Sequence, residues 1–266
     1  MRVAIIGNDA RQKAVYQAFA KRRYEVGLYD FPFADADIIV LPMPITSDGV
    51  TLYTTQISLT DCFSVLRSKT VYGGRCGETA INLAAQHKVR LLDHFAREEE
   101  AVLNVIPTVE GALQIALERT PFTLHGASVL VCGFGRIGKL LCHHLKALGA
   151  VVTVAARKKG DLAWCEALGY QGVDFRKFGE IVGKSDIIFN TAPALLLDRN
   201  MLEKTNALII DLASAPGGVD FEAAAQMHKN VIHALALPVK VAPQTAGEII
   251  CKTIINMYEE ENTRVR

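Results

Sequence analysis

Three glycines carry the strongest chemical signal in this 266-residue chain. They stand in Gly133-Phe134-Gly135-Arg136-Ile137-Gly138, directly after the apolar run 129–132. A stretch with Ile137, Leu140, Leu141, Leu145 and Leu148 on one helical stripe follows. A lone glycine–x–glycine–x–x–glycine is a weak signal. Here Gly149-Ala150 and a second apolar run, 151–154, complete a strand–turn–helix–turn–strand unit, the context in which this spacing binds a dinucleotide. Gly133 is expected to make the tight turn, Gly135 to let a pyrophosphate approach the backbone, and Gly138 to let the helix pack on the strand. The N–H groups and dipole at the helix start would then hold the phosphates. A cofactor site on Gly133, Phe134, Gly135, Arg136, Ile137 and Gly138 follows. The end of the second strand selects the dinucleotide. An acid there would bond a ribose 2′-hydroxyl, but Ala155-Ala156-Arg157-Lys158-Lys159 has none and offers cations suited to a 2′-phosphate. Arg157 and Lys158 therefore point to NADP rather than NAD.

The elements that must position these residues alternate along nearly the whole chain, as in parallel sheets covered by helices. Before the glycine turn, strands are expected near 3–6, 26–29, 38–41, 70–72 and 89–92, with helices at about 10–22, 58–67 and 77–87. Leu41-Pro42-Met43-Pro44 marks a loop at a strand's carboxyl end, where open α/β sheets bind ligands. Residues 97–119 read as helical, broken at Pro107, with Val109, Leu113, Ala116 and Leu117 on one face. A second wound unit has strands near 129–132, 151–155, 187–190, 208–212 and 231–233. One long helix, 245–260, follows and is expected to return to the first domain. The fold class is thus α/β: two Rossmann-like, doubly wound parallel-sheet domains with an active-site cleft between them. One spans 1–100 with 244–266, the other 101–243. Ile6-Gly7-Asn8-Asp9-Ala10-Arg11 starts like a dinucleotide turn but lacks the later glycines, and reads as a substrate-side loop.

Composition narrows the partners. Basic residues number 29 and acidic ones 28, so no basic field exists to hold nucleic acid. The opening apolar run 3–6 is too short for a signal-peptide core, and no window is expected to approach the roughly 18 apolar residues of a membrane span. A cytoplasmic chain without membrane contact is expected. The six cysteines form no C-x-x-C pair, and His143-His144 lack H-E-x-x-H spacing. Neither a disulfide framework nor a metal site is predicted.

Longer motifs make the chain resemble the family of A-type subunits of bacterial dipicolinate synthase along nearly its full length. They are Gly7-Asn8-Asp9-Ala10-Arg11-Gln12, Asn104-Val105-Ile106-Pro107-Thr108-Val109-Glu110-Gly111, Thr123-Leu124-His125-Gly126, Ala156-Arg157-Lys158 and Asn190-Thr191-Ala192-Pro193-Ala194. Two more are Asp211 to Gly218 and Leu237 to Gly247, which depart from the family pattern at Ala215, Val239 and Gln244. The resemblance implies oxidation of a dihydrodipicolinate-level cyclic dicarboxylate to the aromatic pyridine. It also implies a heteromer with a B-type subunit, in the mother-cell cytoplasm of a sporulating bacterium.

A dicarboxylate needs cationic or N–H clamps, and Arg11, Arg75, Ser214 and Lys240 stand at strand ends or loops that could supply them. Asn190, Thr191, Ala192 and Pro193 close a strand where the nicotinamide is expected. For the general base, Lys240 and His233 both remain candidates. Two rival readings share the fold. A D-2-hydroxyacid dehydrogenase would need an imidazole just after the last cofactor-domain strand, where the chain reads Pro243-Gln244-Thr245. A regulatory subunit would bind NADP without turnover.

Overall fold

The computed structural model describes residues 1–29 and 35–264. It divides into two compact units, Met1–Asn104 with Pro238–Arg266, and Val105–Leu237. The divisions fall after residues 104 and 237, where the motifs suggested 100 and 243. Residues 265–266 of the expected first domain lie outside the described residues.

The first unit runs β1 (Arg2–Ile6), α1 (Ala10–Lys21), β2 (Glu25–Tyr29), β3 (Ile38–Val40), α2 (Leu59–Val65), β4 (Thr70–Gly73), α3 (Glu78–Gln86), β5 (Arg90–Asp93) and, after the 3₁₀ turn His94–Ala96, α4 (Glu98–Leu103). Its five parallel strands lie in the order β2-β1-β3-β4-β5. The central strands β1, β3 and β4 are covered on both faces, so their apolar residues run on without polar alternation. Val3 and Ile5 face Val15 and Phe19 of α1, while Ala4 and Ile6 join Leu59 and Phe63 of α2 and Ala80 and Ala84 of α3.

The second unit begins with α5 (Val105–Arg119), β6 (Ser128–Cys132), α6 (Arg136–Ala147), β7 (Val151–Ala156), α7 (Lys159–Ala167) and β8 (Gln171–Asp174). It continues with α8 (Phe178–Ile181), β9 (Ile187–Asn190), α9 (Arg199–Glu203), β10 (Leu208–Asp211), α10 (Phe221–Gln226) and β11 (Val231–His233). The order β11-β10-β9-β6-β7-β8, all parallel, is that of a dinucleotide-binding sheet. The expected fold class, two doubly wound parallel-sheet domains, is the one observed.

Several details differ from expectation. The helical stretch 97–119 breaks at Asn104, and Pro107 sits inside the first turn of α5. A proline is tolerated there because a first-turn amide has no helical acceptor. Leu117 and Leu148, expected on buried faces, are exposed. The stretch Glu98–Arg119 is long and apolar enough to cross a membrane by length and composition, contrary to the expectation that no such window exists. Val105, Val109, Ala112, Leu113 and Ala116 of this stretch are committed to the core of the second unit, against Val129, Val131 and Leu141.

After α11 (Leu237–Val241), α12 (Pro243–Arg264) packs along α1 of the first unit. Ile250, Cys251, Ile254 and Met257 enter that core, and Glu248 pairs with Arg22 at 2.8 Å and Lys21 at 3.2 Å. The close approach depends on Gly247, where a Cβ would come within 2.5 Å of the Ala14 carbonyl carbon and 2.7 Å of its Cβ. Backbone cannot move aside as a side-chain tip can, so Gly247→Ala should destabilise the chain by about 1–3 kcal/mol. A urea melt that leaves the midpoint unchanged would contradict this account of the helix pair.

Candidate functional site

In the second unit the strand order reverses between β6 and β9, and two loops leave the carboxyl ends of those strands. The first is the glycine turn. Gly133 has φ +97°, a conformation open to glycine at no steric cost, and a Cβ there would lie 2.7 Å from Thr191 Oγ1. A Cβ on Gly138 would run into the Gly133 carbonyl oxygen. Gly135 is different: nothing lies within 4 Å of where its Cβ would be, and no side chain caps the helix that begins there. Open space before uncapped first-turn amides is the surrounding an anionic pyrophosphate needs. The side chain of Phe134, by contrast, turns into the core against Tyr170, leaving only its backbone to line the turn. Ile137 likewise packs on the core, while Arg136 is exposed.

The second loop, Asn190 to Pro193, is fixed from within. The Asn190 side chain is fully buried; Nδ2 donates to Asp211 Oδ1 at 2.8 Å and to the Ala192 carbonyl at 3.0 Å. Thr191 Oγ1 donates to the Cys132 carbonyl at 2.9 Å, tying this loop to the glycine turn. Asp211, also fully buried, accepts from the amides of Ala213 at 3.0 Å and Gly218 at 2.7 Å as well. One carboxylate thus holds the loops after β9 and β10. Asn190 and Thr191 act on the loop's shape, while Pro193 is exposed.

Arg157 and Lys158 follow β7, are exposed, and form no ion pair among the described residues. An acid does stand beside them. Asp174, at the end of β8, pairs in register with Ala156. Its carboxylate is taken by Arg176 at 2.8 Å and Lys159 at 3.0 Å, and the hydrogen bonds from Arg176 lead in holding it well below the usual carboxylate range. The composition of β8 hides it in the sequence, because Gln171-Gly172-Val173-Asp174, an edge strand, has one apolar side chain in four.

Of the other predicted residues in this unit, Ser214 is exposed, in a turn closed by the Gly217 amide on its carbonyl at 2.9 Å. His233 is stacked on Phe221 with ring centroids 4.7 Å apart, and its Nε2 lies 3.3 Å from the Ala213 carbonyl. That nitrogen must carry the proton to donate there, so His233 braces the loop.

In the first unit the strand order reverses between β1 and β3. Asp9 caps α1 through the Gln12 amide at 2.8 Å, which puts a negative charge where a nucleotide phosphate would otherwise sit. Arg11, in the first turn of α1, donates through Nη1 to the Met43 carbonyl and so joins the loops after β1 and β3. Burial lowers its pKa from the ordinary value; Asp9 opposes this, and the guanidinium of Arg75 lowers it further. Met43, whose carbonyl Arg11 bonds, also packs against Gly74, which precedes Arg75. Arg75 follows β4 with φ +53° and lies 4.9 Å over the Phe95 ring. Asp93 holds that turn, accepting from the amides of Arg75 at 3.2 Å, Cys76 at 2.9 Å and Phe95 at 2.9 Å. Lys240, on α11, is exposed. Sequence reasoning passed over Asp93, Asp211 and the buried pair His94–Glu100, whose Nδ1–Oε2 separation is 2.8 Å. For Asp93, His94 and Asp211 the one signal is position at a strand's carboxyl end; Glu100, on α4, carries none. Burial pushes the thiols of Cys62 and Cys251 up to about 12 and raises those of Cys76, Cys132, Cys142 and Cys165.

The A subunit of dipicolinate synthase from Bacillus subtilis (strain 168) is 32% identical to this chain, covering 98% of it and 96% of the relative. The chain belongs to the dipicolinate synthase A-subunit family. The crystal structure of that Bacillus subtilis protein superposes with a TM-score of 0.87 at 31% identity, over 99% of this chain and 97% of that one. The Bacillus halodurans A-subunit structure gives 0.85 at 29% identity, over 97% of each chain. The model of the D-isomer specific 2-hydroxyacid dehydrogenase NAD binding domain matches residues 81–211. The chain thus carries a Rossmann-like domain similar to the NAD binding domain of D-isomer specific 2-hydroxyacid dehydrogenases.

Asp211→Ala would leave the Gly218 and Ala213 amides and the Asn190 side chain without their acceptor. Buried unmet donors cost about 1–3 kcal/mol each, so a stability loss of at least about 2 kcal/mol is expected. Hydrogen exchange should quicken at Gly218 and Ala213; unaltered exchange there would refute the role given to Asp211.

Proposed function

We propose that this chain is the oxidising subunit of a dipicolinate synthase, using NADP to oxidise a dihydrodipicolinate-level cyclic dicarboxylate to dipicolinate together with a B-type subunit. The observation that carries the oxidoreductase reading is the open space at Gly135, set against glycines on either side that a Cβ would jam. When bound there, the dinucleotide supplies a hydride acceptor. Arg157 and Lys158, whose charges no described carboxylate takes, support a 2′-phosphate and hence NADP. Asp174 stands near but is neutralised by Arg176 and Lys159.

Arg11 and Arg75 support a dianionic substrate. Two like charges in one compact unit disfavour each other, and a dicarboxylate would relieve that repulsion while accepting charge-assisted hydrogen bonds. Arg11 spends one N–H on Met43, and a guanidinium has five. Lys240 and Ser214, both exposed, are further candidate clamps. The partner follows from the family, whose relatives are A subunits of a synthase. It would dehydrate an unstable precursor or exclude water around the reacting ring.

Three tests follow. For the cofactor, Gly135→Ala should leave stability within about 0.5 kcal/mol, since its Cβ meets nothing, yet weaken NADP binding about tenfold. Arg157→Asp should remove or reverse the preference for NADP; tighter binding of NAD by the unaltered chain would overturn the NADP assignment. For the substrate, Arg11→Ala and Arg75→Ala should each weaken dipicolinate binding about tenfold or more, from about 1.5–3 kcal/mol per lost charge-assisted bond. Calorimetry showing undiminished affinity in both would remove them from the site. For the division of labour, dipicolinate should form at full rate only with the B-type partner, followed by NADPH absorbance and the pyridine product. Full-rate synthesis by this chain alone would sink the two-subunit proposal.

A further inference from the structure

The first unit buries a hydrogen-bonded histidine–glutamate pair that nothing above employs. His94 opens the turn after β5 and is 1% exposed; Glu100, on α4, is 2% exposed. His94 Nδ1 lies 2.8 Å from Glu100 Oε2, and among the described residues this is the ring's only hydrogen bond. Glutamate accepts there, so Nδ1 carries the proton and Nε2 is left with its lone pair. That is the tautomer a general base needs, fixed by a carboxylate behind it.

The ring's other edge is turned to the strand-end loops. Cε1, the atom between the two nitrogens, lies 2.8 Å from where a Cβ on Gly74 would stand, beside Met43 Sδ at 2.5 Å from the same point. The Cε1 edge of the ring thus lies against Gly74, the neighbour of Arg75, and beside Met43, whose carbonyl Arg11 bonds. Glu100 also feels Arg11, whose charged form it favours. The other ionisable groups around the pair are Asp93, bound to three amides, and the set Arg97, Glu99 and Glu260 at the α4–α12 contact. Arg97 bonds both carboxylates, at 2.7 Å each.

We propose that His94 Nε2 is the base that takes the proton in the oxidation, with Glu100 as the positioning residue that sets its tautomer. This rests on the functional reading above. The ring of the dihydro substrate gives up two hydrogens. One leaves with its electron pair to the oxidised nicotinamide dinucleotide. The other leaves as a proton to Nε2, and its bonding pair closes the aromatic ring. The imidazolium beside Glu100 then returns its proton to solvent. A buried base suits a reaction whose product is a dianion, because the transient charge pair forms inside the protein and is little screened.

The test uses this chain with its B-type partner, NADP and a dihydrodipicolinate substrate. His94→Gln, which can still donate to Glu100, should lower kcat by about 100-fold or more with KM changed less than about threefold. His94→Ala should regain about tenfold of its lost rate with added imidazole, a response no structural staple would give. Glu100→Gln should lower kcat and shift its pH profile. A binding measurement stands apart from turnover: calorimetry in buffers of different ionisation heat should show uptake of about one proton when dipicolinate binds above neutral pH, lost in His94→Gln. A His94→Gln enzyme with kcat near that of the unaltered chain, or with proton uptake intact, overturns the assignment. Absence of hydride transfer in the unaltered chain with its partner would instead sink the dehydrogenase reading, and this assignment with it.

Discussion

A parallel sheet covered by helices on both faces leaves charge only the ends of its strands. Both units of this chain obey that constraint, and everything chemical in them follows from it. Val3 to Ile6 in one and Val129 to Cys132 in the other are apolar throughout because neither face meets water. The polar residues that matter emerge where the strands stop: Asp9 and Arg11 after β1, Arg75 after β4, Asp93 and His94 at the end of β5, Asn190 and Asp211 at the ends of β9 and β10. In each sheet the order reverses once, and such a point is where open α/β sheets bind their ligands.

Emerging loops must still be held in shape, and here two carboxylates do so, the half-buried Asp93 and the fully buried Asp211. Asp93 gathers three amides and fixes Arg75 in a left-handed conformation that a non-glycine residue adopts only when its surroundings require it. Asp211 gathers two amides and the Asn190 side chain. A carboxylate satisfied by several N–H donors is stable without a cationic partner, so both loop clusters stay ordered while the nearby arginines and lysines keep their charge available. The same economy explains His233, whose ring braces the loop after β10.

The glycines divide the remaining labour by what surrounds them. At Gly74, Gly138 and Gly247 a methyl group would strike a neighbour, so these positions serve close packing. Gly135 has space in front of it, and space before an uncapped helix start is a binding feature rather than a packing one.

The sequence by itself determined the sheet type, nearly every strand and the glycine turn, because these depend on local composition and spacing. Apolar runs a few residues long, punctuated by glycine, leave little choice of fold, and the absence of an acid after Val151 to Ala156 is visible on inspection. It also placed Arg11 and Arg75 at strand ends. Only the tertiary structure decided which strand-end residues meet. Asp174 reaches the end of β7 from a neighbouring edge strand with too few apolar side chains to declare itself. Phe134 turns inward because Tyr170 waits there. His94 and Glu100 are six residues apart across a 3₁₀ turn and a helix start, a separation with no fixed period. The physical reason is common to all of these: spacing along the chain reports which face of an element is apolar, whereas a hydrogen bond between elements depends on how their ends are brought together in space.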